Sequence, residues 1–369
     1  MPFPVNYGGV YDLFYKLVAL KSLGVFIHLH CFDNGREPQA ELDKYCAEVH
    51  YYARDTGARS LSLRLPYIVK SRRNAELRKR LLKDDFPILM EGTHCTWLLN
   101  DEAFKARKKF VRLHNVEHLY YYKLFKCTNG IQKKLYYWWE SKLLKSYENK
   151  IISKANAFWA VTGKDAEYIR NEFSCKSVFF LPLFLPGWKV CSKEGIGQYC
   201  LYHGNLSVAE NEFAAAWLIK NIFKKSAIRL IIAGKNPSKK LRALTRKYKN
   251  IELIPNPTES KMESLIADAH IHVLPSFNST GIKLKLLNAL YNGRHCVVNS
   301  EMADNTGLDE LTHIKKTASG MKQLIEQMYY QPFLLSEIKT RKKLLEAMFD
   351  NNKNAEQVVE WIWGENVTV

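Results

Sequence analysis

The stretch RLIIAGKNPS, residues 229–238, connects a buried strand to the start of a helix. Residues 230–233, LIIA, are an uninterrupted apolar run, which is typical of a strand buried on both faces of a parallel sheet. Gly234 then ends the strand, Lys235 lies at the tip of the loop, and Pro237 begins the helix. This order predicts one βα unit of a doubly wound α/β fold.

The same alternation extends in both directions along the 369 residues. Helical segments such as 210–223 and 282–291 separate short apolar runs, so we predict an α/β fold with two series of parallel strands. The strands of the first series are expected at residues 25–32, 87–91, 109–114, 157–162 and 177–181. Those of the second series are expected at residues 199–203, 228–233, 251–254, 271–274 and 294–299.

A linker divides the two series. Residues 181–199, LPLFLPGWKVCSKEGIGQY, contain two prolines and three glycines, which break both helical and strand periodicity. A chain of this length also exceeds one ordinary hydrophobic core. We therefore predict a first Rossmann-like domain over residues 1–185, a second over residues 186–350, and a helix over residues 351–369.

Composition limits the class of protein. Hydrophobic residues make up 47% of the chain and charged residues 25%, as in soluble globular proteins. We find neither an apolar run long enough to span a membrane nor a signal-peptide pattern at the start. The eight cysteines include no Cys-x-x-Cys pair, so we expect reduced thiols in a cytoplasmic protein rather than a zinc or redox motif.

The net charge of +18 favours contact with polyanions, which include nucleic acids, anionic lipids and phosphorylated ligands, although it also serves solubility alone. Residues 115–150 interleave aromatic side chains with lysines on helical segments. These helices either pack their aromatic rings inward, or present a surface to anionic lipid at the inner membrane face, or stack on RNA. Because the chain has no recognised RNA- or DNA-binding motif, we expect no nucleic-acid partner.

The strongest candidate for chemistry is PSFNSTGIKLKLLNALYNGRHCVVN, residues 275–299. A strand ends just before it, the hydroxyl residues at 279–280 are N-cap candidates, and Gly281 is expected to open a helix. A helix start presents free backbone N–H groups and partial positive charge, to which Lys283 and Lys285 add cationic reach. The segment therefore predicts a cradle for a diphosphate, although an ordinary capped helix with solvent-facing lysines has the same pattern.

Similar loops follow the other predicted strands. They are YHGNLSVAEN (202–211), AGKNPS (233–238) and NPTES (256–260) in the second half, and PVNYGG (4–9), EGTH (91–94) and RLHNVEH (112–118) in the first. The second-half loops are expected to share one sheet edge and to line a nucleotide-diphosphate site. PVNYGG is expected to be a turn before a helix that begins at Val10. At the end of a first-half strand we select His114, which can donate to a sugar hydroxyl or a leaving phosphate, although a lone histidine is as often structural.

Together these motifs resemble the retaining glycosyltransferases of the GT-B fold, in the family-4-like group, and especially mannosyltransferase-like members from capsule and polysaccharide loci. The resemblance spans nearly the whole chain and is carried by the order and spacing of short motifs. The residues that carry it are Pro4, Asn6, Gly8, Gly9, Arg112, His114, Asn115, Glu117, Gly204, Asn205, Leu206, Gly234, Ala289, Gly293 and the stretch from Thr280 to Asn288.

The resemblance implies two Rossmann-like domains that face one another across a cleft, with the last helix crossing back to the first domain. It implies transfer of a hexose, such as mannose, from a GDP- or UDP-linked donor to a lipid- or polysaccharide-linked acceptor, with retention of configuration. Neither a metal ion nor a cofactor is implied. The chain is then expected in the cytoplasm, with a peripheral contact to the inner membrane face.

The resemblance also implies roles for individual residues. Three residues have implied catalytic roles: His114 contacts the donor sugar, and Lys283 or Lys285 neutralises the departing diphosphate. The implied donor-binding residues are Gly8, Gly9, Gly204, Asn205, Gly234, Lys235, Thr280, Gly281, Ile282 and Asn288. The implied acceptor-binding residues are Asn6, Tyr7, Glu91 and His94.

Two departures from the family pattern support an alternative hypothesis for the function. The family carries two glutamates eight positions apart after the phosphate loop, where this chain has Thr280 and Asn288. The chain also begins almost inside the PVNYGG turn, so we expect the apolar strand that normally precedes this turn to be missing, through a late start or a truncated sequence. The rival is a catalytically impaired, basic binding protein that keeps the GT-B fold.

Overall fold

The computed structural model describes residues 1–5, 8–33, 35–57, 60–128, 130–278, 280–303 and 306–364. The chain divides into two compact units. Unit 1 comprises Met1–Tyr121, Tyr136–Gly187 and Met348–Val369, and unit 2 comprises Tyr122–Leu135 and Trp188–Ala347. The named strands of each unit pair in parallel and alternate with helices, so the predicted α/β class is confirmed.

The elements up to Phe180 are α1 (Gly8–Ser22), β1 (His28–Phe32), β2 (Glu48–Tyr52), α2 (Tyr67–Lys70), α3 (Ala75–Leu81), β3 (Ile88–Glu91), β4 (Lys109–Leu113), α4 (Glu117–Cys127), α5 (Ile131–Ile151), β5 (Ala157–Ala160), α6 (Gly163–Glu172) and β6 (Val178–Phe180). Those that follow are β7 (Cys200–Asn205), α7 (Ala209–Asn221), β8 (Leu230–Lys235), α8 (Lys239–Thr245), β9 (Ile251–Pro255), α9 (Glu259–Asp268), β10 (Ile271–Val273), α10 (Leu284–Asn292), β11 (His295–Val298), α11 (Ser300–Ala303), β12 (His313–Ile314), α12 (Ala318–Met328), α13 (Leu335–Met348) and α14 (Asn351–Trp363).

Unit 1 contains two separate sheets. One has the strand order β3-β4-β5-β6, and β4 and β5 are buried along their whole length. The sequence of β5, AFWA, is the continuous apolar run typical of such a strand, whereas β4 buries Lys109 and Arg112 as well. The other sheet pairs β1 with β2. A cavity of about 660 Å³ is lined by residues of α1, β1 and β3. Among described residues 1–5, ahead of α1, the structure has no strand.

The first helix begins earlier than predicted. Gly8 and Gly9 form the first turn of α1 rather than a turn before a helix that starts at Val10. The N–H groups of a first helical turn lack intrahelical partners in any case, and a glycine carbonyl accepts a helical hydrogen bond as well as any other. The two glycines therefore start this helix themselves.

The last helix packs within unit 1. Ala355, Val358 and Ile362 of α14 lie in one apolar cluster with Trp159 of β5. The rings of Trp361 and Trp159 stack with centroids 5.4 Å apart. The aromatic content of this segment therefore serves the core. Within the described ranges, every helix is too short or too polar to cross a membrane.

Unit 2 is built on one six-stranded sheet with the order β12-β11-β10-β7-β8-β9. β7 lies between β8 and β10, so the direction in which strands are added reverses at β7. In doubly wound sheets, ligands bind outside the carboxyl ends of the strands at such a reversal. The loops after β7, β8 and β10 therefore define the edge where a ligand site is expected.

All ten predicted strands are present, with bounds within three residues of those expected. Two further strands, β2 and β12, were not predicted. β2 has the sequence EVHYY, in which a glutamate and a histidine interrupt the apolar pattern. β12 has only two residues, too few to show any period.

Candidate functional site

The carboxyl ends of β7 and β8 approach one another through paired glycines. Gly204 of β7 pairs with Gly234 of β8, and Asn205 pairs with Lys235. A Cβ atom placed on Gly234 would lie 1.8 Å from the carbonyl oxygen of Gly204, so only glycine fits at position 234. The close approach leaves Lys235 exposed at this edge. Asn205 Oδ1 accepts two hydrogen bonds from Ser207, one from the backbone N–H at 3.1 Å and one from the side-chain hydroxyl at 2.7 Å. These bonds close the loop after β7 into a turn.

Lys285, in the first turn of α10, is held over the end of β7. Its Nζ donates to the Tyr202 hydroxyl at 3.2 Å and to Asn211 Oδ1 at 2.9 Å, and it lies 5.0 Å from the centre of the Tyr202 ring. Burial lowers the pKa of Lys285 to about 8, against the opposing charge of Glu210. A cation that has lost much of its hydration and faces a sheet edge is well suited to bind an anion.

The loop after β10 corrects one prediction. Helix α10 begins at Leu284 with Lys283 as its N-cap, three residues later than the predicted start at Gly281. Gly281 has a φ of +66°, in the left-handed region, which a continuing right-handed helix excludes. Ile282 belongs to the same loop. The side chain of the N-cap residue Lys283 forms no hydrogen bond that caps α10. The N–H of Leu286 donates to the Lys283 carbonyl oxygen at 2.8 Å, and the N–H groups of Leu284 and Lys285 complete the first turn.

The polar groups of this loop turn inward. The Thr280 hydroxyl is buried and donates to Asn278 Oδ1 at 3.1 Å, so Thr280 does not cap α10 as predicted. The Lys283 ammonium donates to the carbonyl oxygens of Thr280 and Gly281. Ser279, the other predicted cap, lies outside the described residues. Lys283 therefore stabilises the loop, whereas Lys285 contacts groups at the end of β7.

Asn288 lies near the middle of α10 and is half-buried. Its carboxamide oxygen accepts a hydrogen bond from Asn292 Nδ2 at 2.9 Å. The position therefore offers an amide for hydrogen bonding, and one of its acceptor sites is already in use.

Glu210 and Ser276 also lie at this edge, and the sequence motifs do not predict either of them. The Ser276 hydroxyl donates to Glu210 Oε1 at 2.9 Å, which connects the loop after β10 to the first turn of α7. Glu210 thereby brings a carboxylate to the same edge, where positions 280 and 288 have none. Glu210 could have been identified from its position in the first turn of a helix that follows a strand. Such a turn lies at the carboxyl-terminal edge of the sheet, where ligands bind.

In unit 1, four predicted residues line the cavity of about 660 Å³. They are Gly9, Glu91, His94 and His114, and Lys16 and Arg72 lie beside them in the lining. The remaining lining is largely apolar and comes from α1, β1 and β3, with further residues from α3, from the segment after β3 and from α14. Asn6 and Tyr7 lie outside the described residues, and Gly8 starts α1. Burial, with the nearby charge of Arg72, lowers the pKa of His94 well below its usual value, so its imidazole is neutral at neutral pH.

His114 follows β4 and lies against a network of buried charges. Its Nε2 is 3.3 Å from Glu91 Oε2, and its Nδ1 is 3.8 Å from Asp12 Oδ2. Lys16 Nζ lies between the two carboxylates, 2.6 Å from Glu91 Oε1 and 3.3 Å from Asp12 Oδ2. Arg112 Nε and Nη2 donate to the two oxygens of Asp12 at 2.9 Å and 2.8 Å.

The network pairs two carboxylates, Asp12 and Glu91, with two basic side chains, Lys16 and Arg112. Burial alone would raise the pKa of Asp12, but the charges of Arg112 and Lys16 outweigh it and hold that pKa well below its usual range. The pKa of Glu91 is lowered as well, because Lys16 and His114 outweigh its burial. Asp12, Glu91 and His114 are close enough to share a metal ion, but Lys16 and Arg112 already neutralise both carboxylates. These charged side chains are therefore better suited to orienting His114 than to binding a metal ion.

Part of the chain matches a known protein family. Residues 197–329, which lie within unit 2, match the family model for glycosyl transferases group 1. A Klebsiella pneumoniae protein, described as an uncharacterized 44.6 kDa protein in the cps region, is 27% identical over 387 residues and is matched over 95% of this chain and 97% of its own.

Two solved structures are similar in fold. The UDP-forming α,α-trehalose-phosphate synthase of Burkholderia xenovorans, in complex with glucose-6-phosphate, has a TM-score of 0.62 and 10% identity, over 98% of each chain. TarM has a TM-score of 0.53 and 14% identity over 78% of this chain, and this chain spans 57% of the length of TarM. At these identities the likeness establishes the fold alone. Residues 197–329 thus match the family model for glycosyl transferases group 1, and the chain as a whole has the GT-B fold.

Proposed function

We propose that the chain transfers a hexose from a nucleotide-diphosphate sugar to a lipid- or polysaccharide-linked acceptor, with retention of anomeric configuration. Mannose from a GDP-linked donor is the specific candidate, with UDP as the alternative nucleotide. The observation that carries the proposal is the position of Lys285, half-buried in the first turn of α10 and hydrogen-bonded to Tyr202 and Asn211 where the strand order reverses. The family match over residues 197–329 and the relative from a cps region support it.

The donor site that we propose lies on unit 2. The diphosphate contacts Lys285 and the free N–H groups of the first turn of α10, and both stabilise the negative charge that grows as the sugar leaves. Gly204 and Gly234 keep the strand ends free of side chains, so that the nucleotide can approach the backbone. Asn205, Lys235 and Asn288 are the neighbouring polar groups that we assign to the donor.

The acceptor site that we propose lies on unit 1, in the cavity lined by Glu91, His94 and His114. In the reaction, the bond between the anomeric carbon and the diphosphate oxygen breaks, and the diphosphate leaves with the electron pair. The acceptor hydroxyl forms the new bond to that carbon and releases its proton to the departing diphosphate. We assign His114 to the reacting sugar, in an orientation fixed by Glu91.

We also propose a peripheral contact with anionic membrane through α5. Ile131, Leu135, Trp138 and Trp139 are spaced three or four residues apart on this helix, so they share one face, and they are 78%, 62%, 40% and 40% exposed. Lysines at 133, 134, 142 and 145 lie on the same helix. Exposed apolar residues beside lysines suit an interface of acyl chains and anionic headgroups.

The membrane proposal is tested by flotation with vesicles of phosphatidylglycerol and of phosphatidylcholine. Binding is expected only to the anionic vesicles, and Ile131→Glu with Leu135→Glu should abolish it. Leu63→Glu is the matched control, because Leu63 is 80% exposed and lies outside α5. Equal loss with Leu63→Glu would contradict the assignment to α5.

Calorimetric titration with GDP and UDP tests the donor site. One nucleotide is expected to bind with a Kd below 1 mM, and Lys285→Met should weaken it by about tenfold or more, since a hydrogen bond to a charged group contributes about 1.5–3 kcal/mol. Lys240→Met, at an exposed position on α8, is the matched control. If neither nucleotide binds, or if both variants bind equally, the donor site is wrong.

One observation favours the rival function, a binding protein that has lost its chemistry. Thr280 and Asn288 occupy the positions of the family's glutamates, and each is already engaged in a hydrogen bond inside unit 2. Incubation of the protein with GDP-mannose and with UDP-glucose separates the two readings. Release of the nucleoside diphosphate, with transfer or by hydrolysis, would exclude the rival, whereas binding without release would support it.

A further inference from the structure

Two histidines and a glutamate form a cluster at the amino-terminal edge of the six-stranded sheet. His295 is the first residue of β11, His313 is the first residue of β12, and Glu337 lies in the first turn of α13. One ligand atom of each lies within 4.8 Å of those of the other two. This edge is opposite to the carboxyl ends of β7, β8 and β10, so the cluster is separate from the proposed donor site.

His295 supplies a buried nitrogen without a hydrogen-bond partner among the described residues. The residue is 4% exposed, and its Nε2 lies 3.2 Å from the carbonyl oxygen of Gln331, to which it donates its proton. A neutral imidazole has one proton, so Nδ1 keeps a free lone pair. The nearest carboxylate oxygen, Glu337 Oε1, is 3.6 Å from Nδ1, which is too long for a hydrogen bond.

The side chain of Glu337 is also held in a fixed orientation. Its Oε2 accepts the backbone N–H of Leu334 at 2.8 Å, which caps α13 and leaves Oε1 facing His295. An imidazole held by a carbonyl through its second nitrogen, beside a carboxylate held by a backbone N–H, is the arrangement that surrounds metal ligands in proteins. The supporting contacts of a metal site are therefore already in place.

We propose that His295, His313 and Glu337 bind one zinc ion, with water as the fourth ligand. Two imidazoles and one carboxylate are a typical ligand set for zinc. Four ligands about 2.1 Å from a tetrahedral ion lie about 3.4 Å apart, so small side-chain rotations close the observed spacing. His313 and Glu337 are partly exposed and give the ion a route of entry. The ion connects α13 to β11 and β12 and takes no part in sugar transfer.

Zinc titration of chelator-treated, tag-free protein against a chromophoric competitor tests the proposal. The wild-type protein is expected to bind one equivalent of zinc and to gain thermal stability. His313→Ala and Glu337→Gln are each expected to lower the affinity by about tenfold or more. His50→Ala is the matched control, because His50 also lies beside a carboxylate, 2.8 Å from Glu48, on another strand.

Glu337→Gln separates a ligand from a structural residue. Glutamine keeps an oxygen that can accept the Leu334 N–H, so the melting temperature without zinc should stay near that of the wild type, while the gain on adding zinc is lost. Absence of zinc binding by the wild type would overturn the proposal. So would variants at 313 and 337 that bind one equivalent as tightly as the wild type.

Discussion

Asp12 and Arg112 form a fully buried, two-pronged ion pair between α1 and β4. The guanidinium donates to both carboxylate oxygens, at 2.9 Å and 2.8 Å, and neither side chain is exposed to solvent. Asp12 Oδ1 also accepts the backbone N–H of Phe184 at 3.0 Å. One carboxylate therefore fixes the first helix, a central strand and the segment after β6 in unit 1, close to His114.

Removing this carboxylate is expected to destabilise unit 1 strongly. Asp12→Asn leaves the Arg112 guanidinium buried without its counter-ion, and breaking a buried pair in this way costs about 3–5 kcal/mol. Asp43→Asn, at an exposed position, is the control and should leave the melting temperature unchanged. Thermal unfolding followed by circular dichroism measures both. An Asp12→Asn protein as stable as the control would show that the pair contributes little.

Gly234→Ala is expected to disrupt the donor edge of unit 2. The new Cβ would lie 1.8 Å from the Gly204 carbonyl oxygen, so the pairing of β7 with β8 must open where the loops begin. Overpacking of this kind costs about 1–3 kcal/mol and should weaken nucleotide binding as well.

Gly187→Ala is the matched control for this change, because a Cβ there meets no atom within 4 Å. Melting temperature and calorimetric nucleotide affinity are measured for both proteins. Full nucleotide affinity in Gly234→Ala would contradict the role given to the paired glycines.

His114 and Glu91 are expected to affect turnover without affecting nucleotide binding. His114→Ala removes the group assigned to the reacting sugar and should lower kcat by about 10²-fold. Glu91→Gln keeps the size of the side chain but removes the charge that faces Lys16 and His114, so a smaller loss is expected. Transfer rates at saturating donor and the Kd for the nucleotide are measured together. A higher Kd for the nucleotide with an unchanged kcat would show that His114 contacts the nucleotide instead.

The strands could be predicted from the sequence because the chemistry that buries them is local. Runs such as AFWA in β5 and LIIA in β8 have no polar residue, and a strand buried on both faces needs none. The start of α10 could not be predicted in the same way. A hydroxyl at position 280 suggests a cap, but its bond to Asn278 and the left-handed backbone of Gly281 depend on the folded loop.

The candidate sites show the same limit. His114 was found because it follows a strand, whereas its partner Asp12 lies about one hundred residues earlier in the chain. The cluster of His295, His313 and Glu337 has no motif spacing, because two strands and a helix contribute one residue each. Contacts between elements distant in sequence require the structure.

The affinity for the nucleotide diphosphate is expected to depend on pH through Lys285. Its pKa of about 8 in the free protein means that the ammonium form, which binds the anion, dominates below pH 8 and is lost above it. The bound diphosphate favours the charged form and raises this pKa, so the Kd should be constant near pH 7 and rise by up to about tenfold per pH unit above pH 8. Titrations from pH 7 to 9.5 avoid ionisation of the terminal phosphate, whose pKa is about 6. Lys285→Arg keeps its charge over this whole range and should remove the inflection. If the arginine variant shows the same inflection, another group controls the binding and Lys285 does not contact the diphosphate.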